Sequence, residues 1–86
     1  MQQLSGHVVV VDDDASLRQA LARLLAMHKI DCRTYPSARA FLTALPSAMP
    51  DCLIVDVNMP EITGLDLQRE LLKLGVHIPT IVIHRR

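Results

Sequence analysis

The chain has 86 residues, 50% of them apolar and 21% charged, so it is neither disordered nor low-complexity and has room for one packed domain only. Nine Lys and Arg balance nine Asp and Glu, which removes the general electrostatic attraction that a nucleic-acid-binding surface needs. Tyr35 and Phe41 are its only aromatic residues; a base-stacking platform is excluded and the core must come from Leu, Val, Ile and Ala.

In chain order, Met1 to Gly6 carries neither a positive n-region nor an apolar h-region, and no apolar run approaches the ~18 residues of a membrane span, so the expectation is a soluble, cytoplasmic protein. His7 to Val11 is a β-branched run ending in Asp12, Asp13 and Asp14. Continuous apolarity predicts a strand covered on both faces, as in a parallel sheet between helices. Leu17, Ala20, Leu21, Leu24, Leu25 and His28 then fall at helical spacing, with Asp14 placed to cap the helix start. Ile30 to Tyr35 predicts a weaker strand stopped by Pro36. Ser37 offers an N-cap to a short helix carrying Ala38, Phe41, Leu42 and Leu45, which Pro46 ends.

After a turn at Ala48-Met49-Pro50, Cys52-Leu53-Ile54-Val55 repeats the buried-strand signature and again terminates at a carboxylate, Asp56. Val57 to Gly64 is a loop. Leu65, Leu67, Leu71, Leu72 and Leu74 predict a third helix closed by Gly75, and Pro79 opens a last strand at Thr80 to Ile83. Cys32 and Cys52 form no Cys-x-x-Cys pair and read as small buried apolar residues rather than as a disulfide or zinc ligands. The β-α-β-α-β-α-β order predicts a parallel sheet with helices on both faces. Ligands of such sheets collect at the carboxyl ends of strands, where Asp12, Asp13 and Asp56 all map.

Two carboxylates after one strand and a third after another would lie within several ångströms of one another if those strands are adjacent. Like charges at ~4 Å repel by ~4 kcal/mol at an effective dielectric near 20. Exposure, a raised pKa or a bound cation relieves that repulsion, and an all-oxygen ligand set favours Mg²⁺ or a similar divalent ion. A carboxylate beside such an ion is also a nucleophile toward phosphorus. On spacing alone, solvated loop acids remain the competing reading. An aspartate-nucleophile phosphatase would want a second acid two residues after Asp56, where this chain has Asn58, and no glycine-rich nucleotide loop is present.

The stretch Val8-Val9-Val10-Val11-Asp12-Asp13-Asp14, together with Asp56-Val57-Asn58-Met59-Pro60-Glu61-Ile62-Thr63-Gly64 and Ile78-Pro79-Thr80-Ile81-Val82-Ile83, resembles the receiver domain of bacterial two-component response regulators, most closely those of the nitrogen-fixation regulator type. The resemblance covers residues 7–83 and leaves 84–86 as a tail. It implies an α/β, flavodoxin-like, doubly wound parallel sheet, here truncated to about four strands in the order 2-1-3-4 with three helices. It also implies a signalling module rather than an enzyme. Asp56 would be the phosphoacceptor, served by a sensor histidine kinase with Mg²⁺ as cofactor. Asp13 would bind the metal directly, Asp12 through water, and Asn58 through its backbone carbonyl. Pro60 and Gly64 would shape the loop.

The sequence also departs from the family. Receivers have five βα repeats, and this chain carries no fourth helix, fifth strand or fifth helix. His84 stands where receivers place a Ser or Thr that binds the phosphoryl group, and the Lys and aromatic switch residue of the fifth strand have no counterpart. His84, Arg85 and Arg86 read as a solvated tail. An open fourth-strand edge and an uncovered sheet face of about 400 Å² would forfeit about 10 kcal/mol of burial, which predicts a homodimer through that edge or face. Two readings therefore stand: a phosphate-accepting receiver, and a dimerising interaction module in which phosphoryl switching is impaired.

Overall fold

The computed structural model describes residues 6–45, 49–57, 59 and 61–84. Along them run β1 (His7–Val11), α1 (Ala15–Met27), β2 (Asp31–Tyr35), α2 (Ala38–Ala44), β3 (Cys52–Asp56), α3 (Gly64–Lys73) and β4 (Thr80–Ile83). The strands form one parallel sheet in the order β2-β1-β3-β4, as expected. β1 lies at its centre, which is why its run of valines does not alternate: Val9, Val10 and Val11 are all fully buried.

Alternate residues divide between the two faces. Val9 and Val11 join Leu53 and Val55 on the face covered by α2 and α3, where Phe41, Ala38, Leu67 and Leu71 complete the core. The Phe41 ring meets Tyr35 at 5.6 Å between centroids in a tilted pair. Asp14 caps α1 as expected: its Oδ1 accepts from the backbone N–H groups of Ser16 (2.8 Å) and Leu17 (3.2 Å). Ser37 caps α2 through the Ala40 N–H at 3.1 Å. At α3 a reciprocal box forms, with Thr63 Oγ1 accepting from Asp66 N–H and the Asp66 carboxylate accepting from Thr63 N–H.

Two expectations need correction. α1 was expected to bury its apolar stripe, yet none of its residues is buried, and Leu24 is 50% exposed. The helix packs over β1 and β2. The same sheet face continues through Cys52 and Ile54 of β3 to Ile81 and Ile83 of β4, and among the described residues no helix lies over that part. α1 therefore has a sheet beneath it but no helix at its flank. The cysteines are half-buried rather than interior, and both are free. Each is the register partner of Val8, Cys32 on edge strand β2 and Cys52 on the uncovered part of β3. Burial, then the charge of Asp31, pushes the Cys32 thiol above its ordinary range.

Candidate functional site

Strand register assembles the carboxylates. Val11 pairs with Val55, so the next residue on each strand, Asp12 and Asp56, lies side by side at the carboxyl end of the sheet and on the same face. Both are buried, at 0% and 1% exposure, while Asp13 at the head of the turn is exposed. One oxygen from each of Asp12, Asp13 and Asp56 falls within 4.8 Å of the others. Asp14, as expected, serves α1 instead.

Hydrogen bonds fix Asp12 in this position at three atoms. Its N–H donates to the Tyr35 carbonyl (3.1 Å), its Oδ1 accepts from the Asp14 N–H (2.8 Å), and its carbonyl oxygen accepts from Arg18 Nη1 (2.7 Å). Across the sheet, the Val57 N–H donates to the Ile83 carbonyl (3.0 Å), and the Gly64 N–H to the Val57 carbonyl (3.3 Å). The second bond draws the start of α3 against the end of β3. A Cβ at Gly64 would stand 2.7 Å from the Asp56 carbonyl oxygen, so glycine is needed there for close approach. Met59 is buried in the core and pins the loop between them.

The donor chemistry suits a hard divalent cation. Octahedral Mg²⁺ at ~2.1 Å from each ligand sets donor oxygens about 3 to 4 Å apart, within the spread of this trio, and the trio contains no soft ligand. The carboxylates by themselves repel at this range, and a bound cation offsets that repulsion. His84 is exposed and directly follows Ile83, the register partner of Asp56, so it stands at the same end of the sheet. Asn58, Pro60, Arg85 and Arg86 lie outside the described residues. Arg18 and the close approach at Gly64 were not anticipated from sequence. The first had only its place one turn into α1 as a signal, and the second only the glycine itself. A groove of about 400 Å³ lined by Leu71, Leu72, Val76, Ile78 and Pro79 opens at the other end of β4, away from the carboxylates.

The family model of the response regulator receiver domain matches residues 8–85. The chain belongs to that family, a class of signalling modules in two-component systems whose members bind Mg²⁺ at an acidic pocket. It is similar to the response regulator protein TmoT of Ectopseudomonas mendocina, at 42% identity over 83 residues, covering 96% of this chain and 38% of TmoT. It is also similar to the transcriptional regulatory protein FixJ of Rhizobium meliloti, at 38% identity over 76 residues, covering 88% of this chain and 37% of FixJ. The crystal structure of FixJ-N superposes with a TM-score of 0.84 at 37% identity, covering 98% of this chain and 66% of that one. The chain thus spans under two fifths of the length of these two relatives. Among the described residues no helix is long and apolar enough to cross a membrane.

Proposed function

We propose that this chain is a phosphate-accepting receiver in which Asp56 takes a phosphoryl group from the phosphohistidine of a sensor histidine kinase, in the cytoplasm. The observation that carries this reading is the convergence of Asp12, Asp13 and Asp56 within 4.8 Å at the carboxyl end of a parallel sheet. An Asp56 carboxylate oxygen forms the new bond to phosphorus while the bond from phosphorus to the donor atom breaks, leaving an acyl phosphate on Asp56. Asp12 and Asp13, with the Asn58 backbone carbonyl, would complete the metal site. Mg²⁺ held there supplies positive charge against the transferring group. The test is intact mass after incubation with acetyl phosphate and Mg²⁺, beside Asp56→Asn. A phosphoryl adduct on the parent alone supports the reading; no adduct on folded parent protein refutes it.

A second reading is favoured by His84, which stands exposed at the end of β4 where receivers of this kind carry a hydroxyl. In it the pocket persists but phosphorylation is not signalled, and the module works by association with a kinase, a full-length regulator or a second copy of itself. The sheet edges support self-association. β2 carries Asp31 and Arg33 at its edge, whereas β4 is Thr-Ile-Val-Ile, with Ile81 53% exposed and no charge to deter pairing. In this 86-residue chain β4 is accordingly the edge where a homodimer forms. Light scattering at micromolar concentration should give twice the chain mass, and a monomer with a cooperative melt would refute the dimer.

A further inference from the structure

In a parallel pair the backbone groups of alternate residues face the neighbouring strand, and those of the residues between them face away. The carbonyls of Pro79 and Ile83 accept from the Leu53 and Val57 N–H groups, at 2.9 and 3.0 Å. Pro79, Ile81 and Ile83 therefore turn their backbone toward β3. Thr80, Val82 and His84 turn theirs outward, where among the described residues no strand lies beyond β4. This outward run is closed at its amino end. Ile78 is next in the same alternation, and its carbonyl already accepts from the Thr80 hydroxyl at 2.8 Å. The run is bordered by apolar side chains on both faces. Val82 shares the face of α3, whose exposed Leu65 and Leu72 follow helical spacing on the side where Leu72 and Thr80 line one groove. Ile81 and Ile83 lie on the opposite face, Ile81 in register with Ile54.

We infer that a second copy of this chain pairs with β4 antiparallel, about a two-fold axis through Val82. This rests on the reading of β4 as the edge where a homodimer forms, and adds the register of that contact. Opposed residues of an antiparallel ladder exchange two hydrogen bonds when their backbone groups face each other. With the axis at Val82, that residue meets the partner's Val82 and Thr80 meets the partner's His84, so all three outward residues are paired. With the axis at Ile81, Thr80 meets the partner's Val82 and His84 falls opposite the partner's Ile78, whose carbonyl is already bonded. With the axis at Ile83, Thr80 lies opposite none of the three. The side chains agree with the first choice. Ile81 then faces the partner's Ile83 in a pair without hydrogen bonds, the kind in which side chains come closer, and no charge within β4 opposes the contact. A specific dimer buries about 800 Å² on each partner. A four-residue strand is only about 13 Å long, so the exposed Leu65, Leu72 and Ile81 beside it share in the contact.

The experiment is disulfide trapping in the 86-residue protein carrying Cys32→Ser and Cys52→Ser, with either Val82→Cys or Ile81→Cys added. Residues opposed on the axis have Cα atoms about 5.5 Å apart, within disulfide range. Ile81 and the partner's Ile81 are then diagonal, about 7–8 Å apart and beyond it. In a glutathione redox buffer, Val82→Cys should give the covalent dimer at least about 10-fold faster than Ile81→Cys, read by intact mass. The reverse order places the axis at Ile81 and overturns the inference. Equal rates, or no covalent dimer from either variant, overturn it as well when light scattering shows the parent to be dimeric. A parent with the mass of a monomer overturns the dimer reading and this inference with it. If a cysteine variant does not melt cooperatively, His84→Pro carries the test. It removes an N–H that faces away from β3 and so leaves the ladder within the chain intact. Only the register centred on Val82 uses that donor, once on each side of the axis, so dimerisation should weaken about 10-fold or more in sedimentation velocity. An unchanged dissociation constant overturns the register.

Discussion

Replacing Gly64 by Ala should destabilise the chain and displace its acidic site together. The added Cβ would stand 2.7 Å from the Asp56 carbonyl oxygen and 3.2 Å from both the Asp56 carbonyl carbon and the Val57 Cα. All three are backbone atoms, so no rotamer change relieves the clash, and either the start of α3 or the end of β3 must move by several tenths of an ångström. Overpacking of this kind costs about 1–3 kcal/mol. Alanine is the better helix former and returns at most about 1 kcal/mol at the first position of α3. The net loss is about 1–2 kcal/mol, and for a domain of this length it corresponds to a fall in Tm of about 4–16 °C. Circular-dichroism melts measure that loss. Acetyl phosphate labelling below the transition should also slow, because the residue pushed by the methyl is Asp56 itself. A variant that melts at or above the parent temperature would refute the close-approach argument.

Asp14→Ala removes the α1 cap and should lower stability by about 1 kcal/mol in a urea titration, with Asp56 still labelled at temperatures where the variant is folded. Because a ligand that binds only the folded chain stabilises by mass action, Mg²⁺ at ten times its Kd should add about 1.4 kcal/mol, seen as a rise in Tm that Asp13→Asn reduces. Cys32 alkylation should follow a pH profile displaced upward from that of the unfolded chain, since burial and then Asp31 both disfavour its thiolate. Asp31→Asn should bring the profile part of the way back, and an unshifted profile in mass-resolved iodoacetamide kinetics would contradict the cause assigned.

Much of the fold was legible because its signals are local. Val8 to Val11 read as a central strand through unbroken apolarity, and Asp14 and Ser37 are caps because their side-chain oxygens reach N–H groups two or three residues ahead. The site was legible because parallel register turns one-dimensional spacing into proximity: two strands that both end in aspartate place those aspartates side by side. The exposure of α1 was not legible. Spacing shows that a helix has an apolar face but not what lies against it. Nor was Arg18, whose contact is with a main-chain oxygen across a turn and leaves no mark in residue type. Gly64 was marked by its presence in the loop motif, but its reason is the approach of α3 to Asp56, a tertiary distance. The Thr63–Asp66 box did carry a local sequence signal at helix-start spacing, and there the reading by apolar periodicity began one residue too late.

The two edges of the sheet differ in a way that bears on how far association can go. Asp31 and Arg33 stand along β2 and only Thr80, Ile81, Val82 and Ile83 along β4, so of the two borders of the described sheet one alone is without charge. A body with two adhesive borders adds units without end, whereas a body with one is saturated by a single two-fold contact. On the proposed pairing through β4, the charges on β2 would act at a distance from the contact itself, as a terminator that stops such an assembly at two copies and closes the route to a fibre.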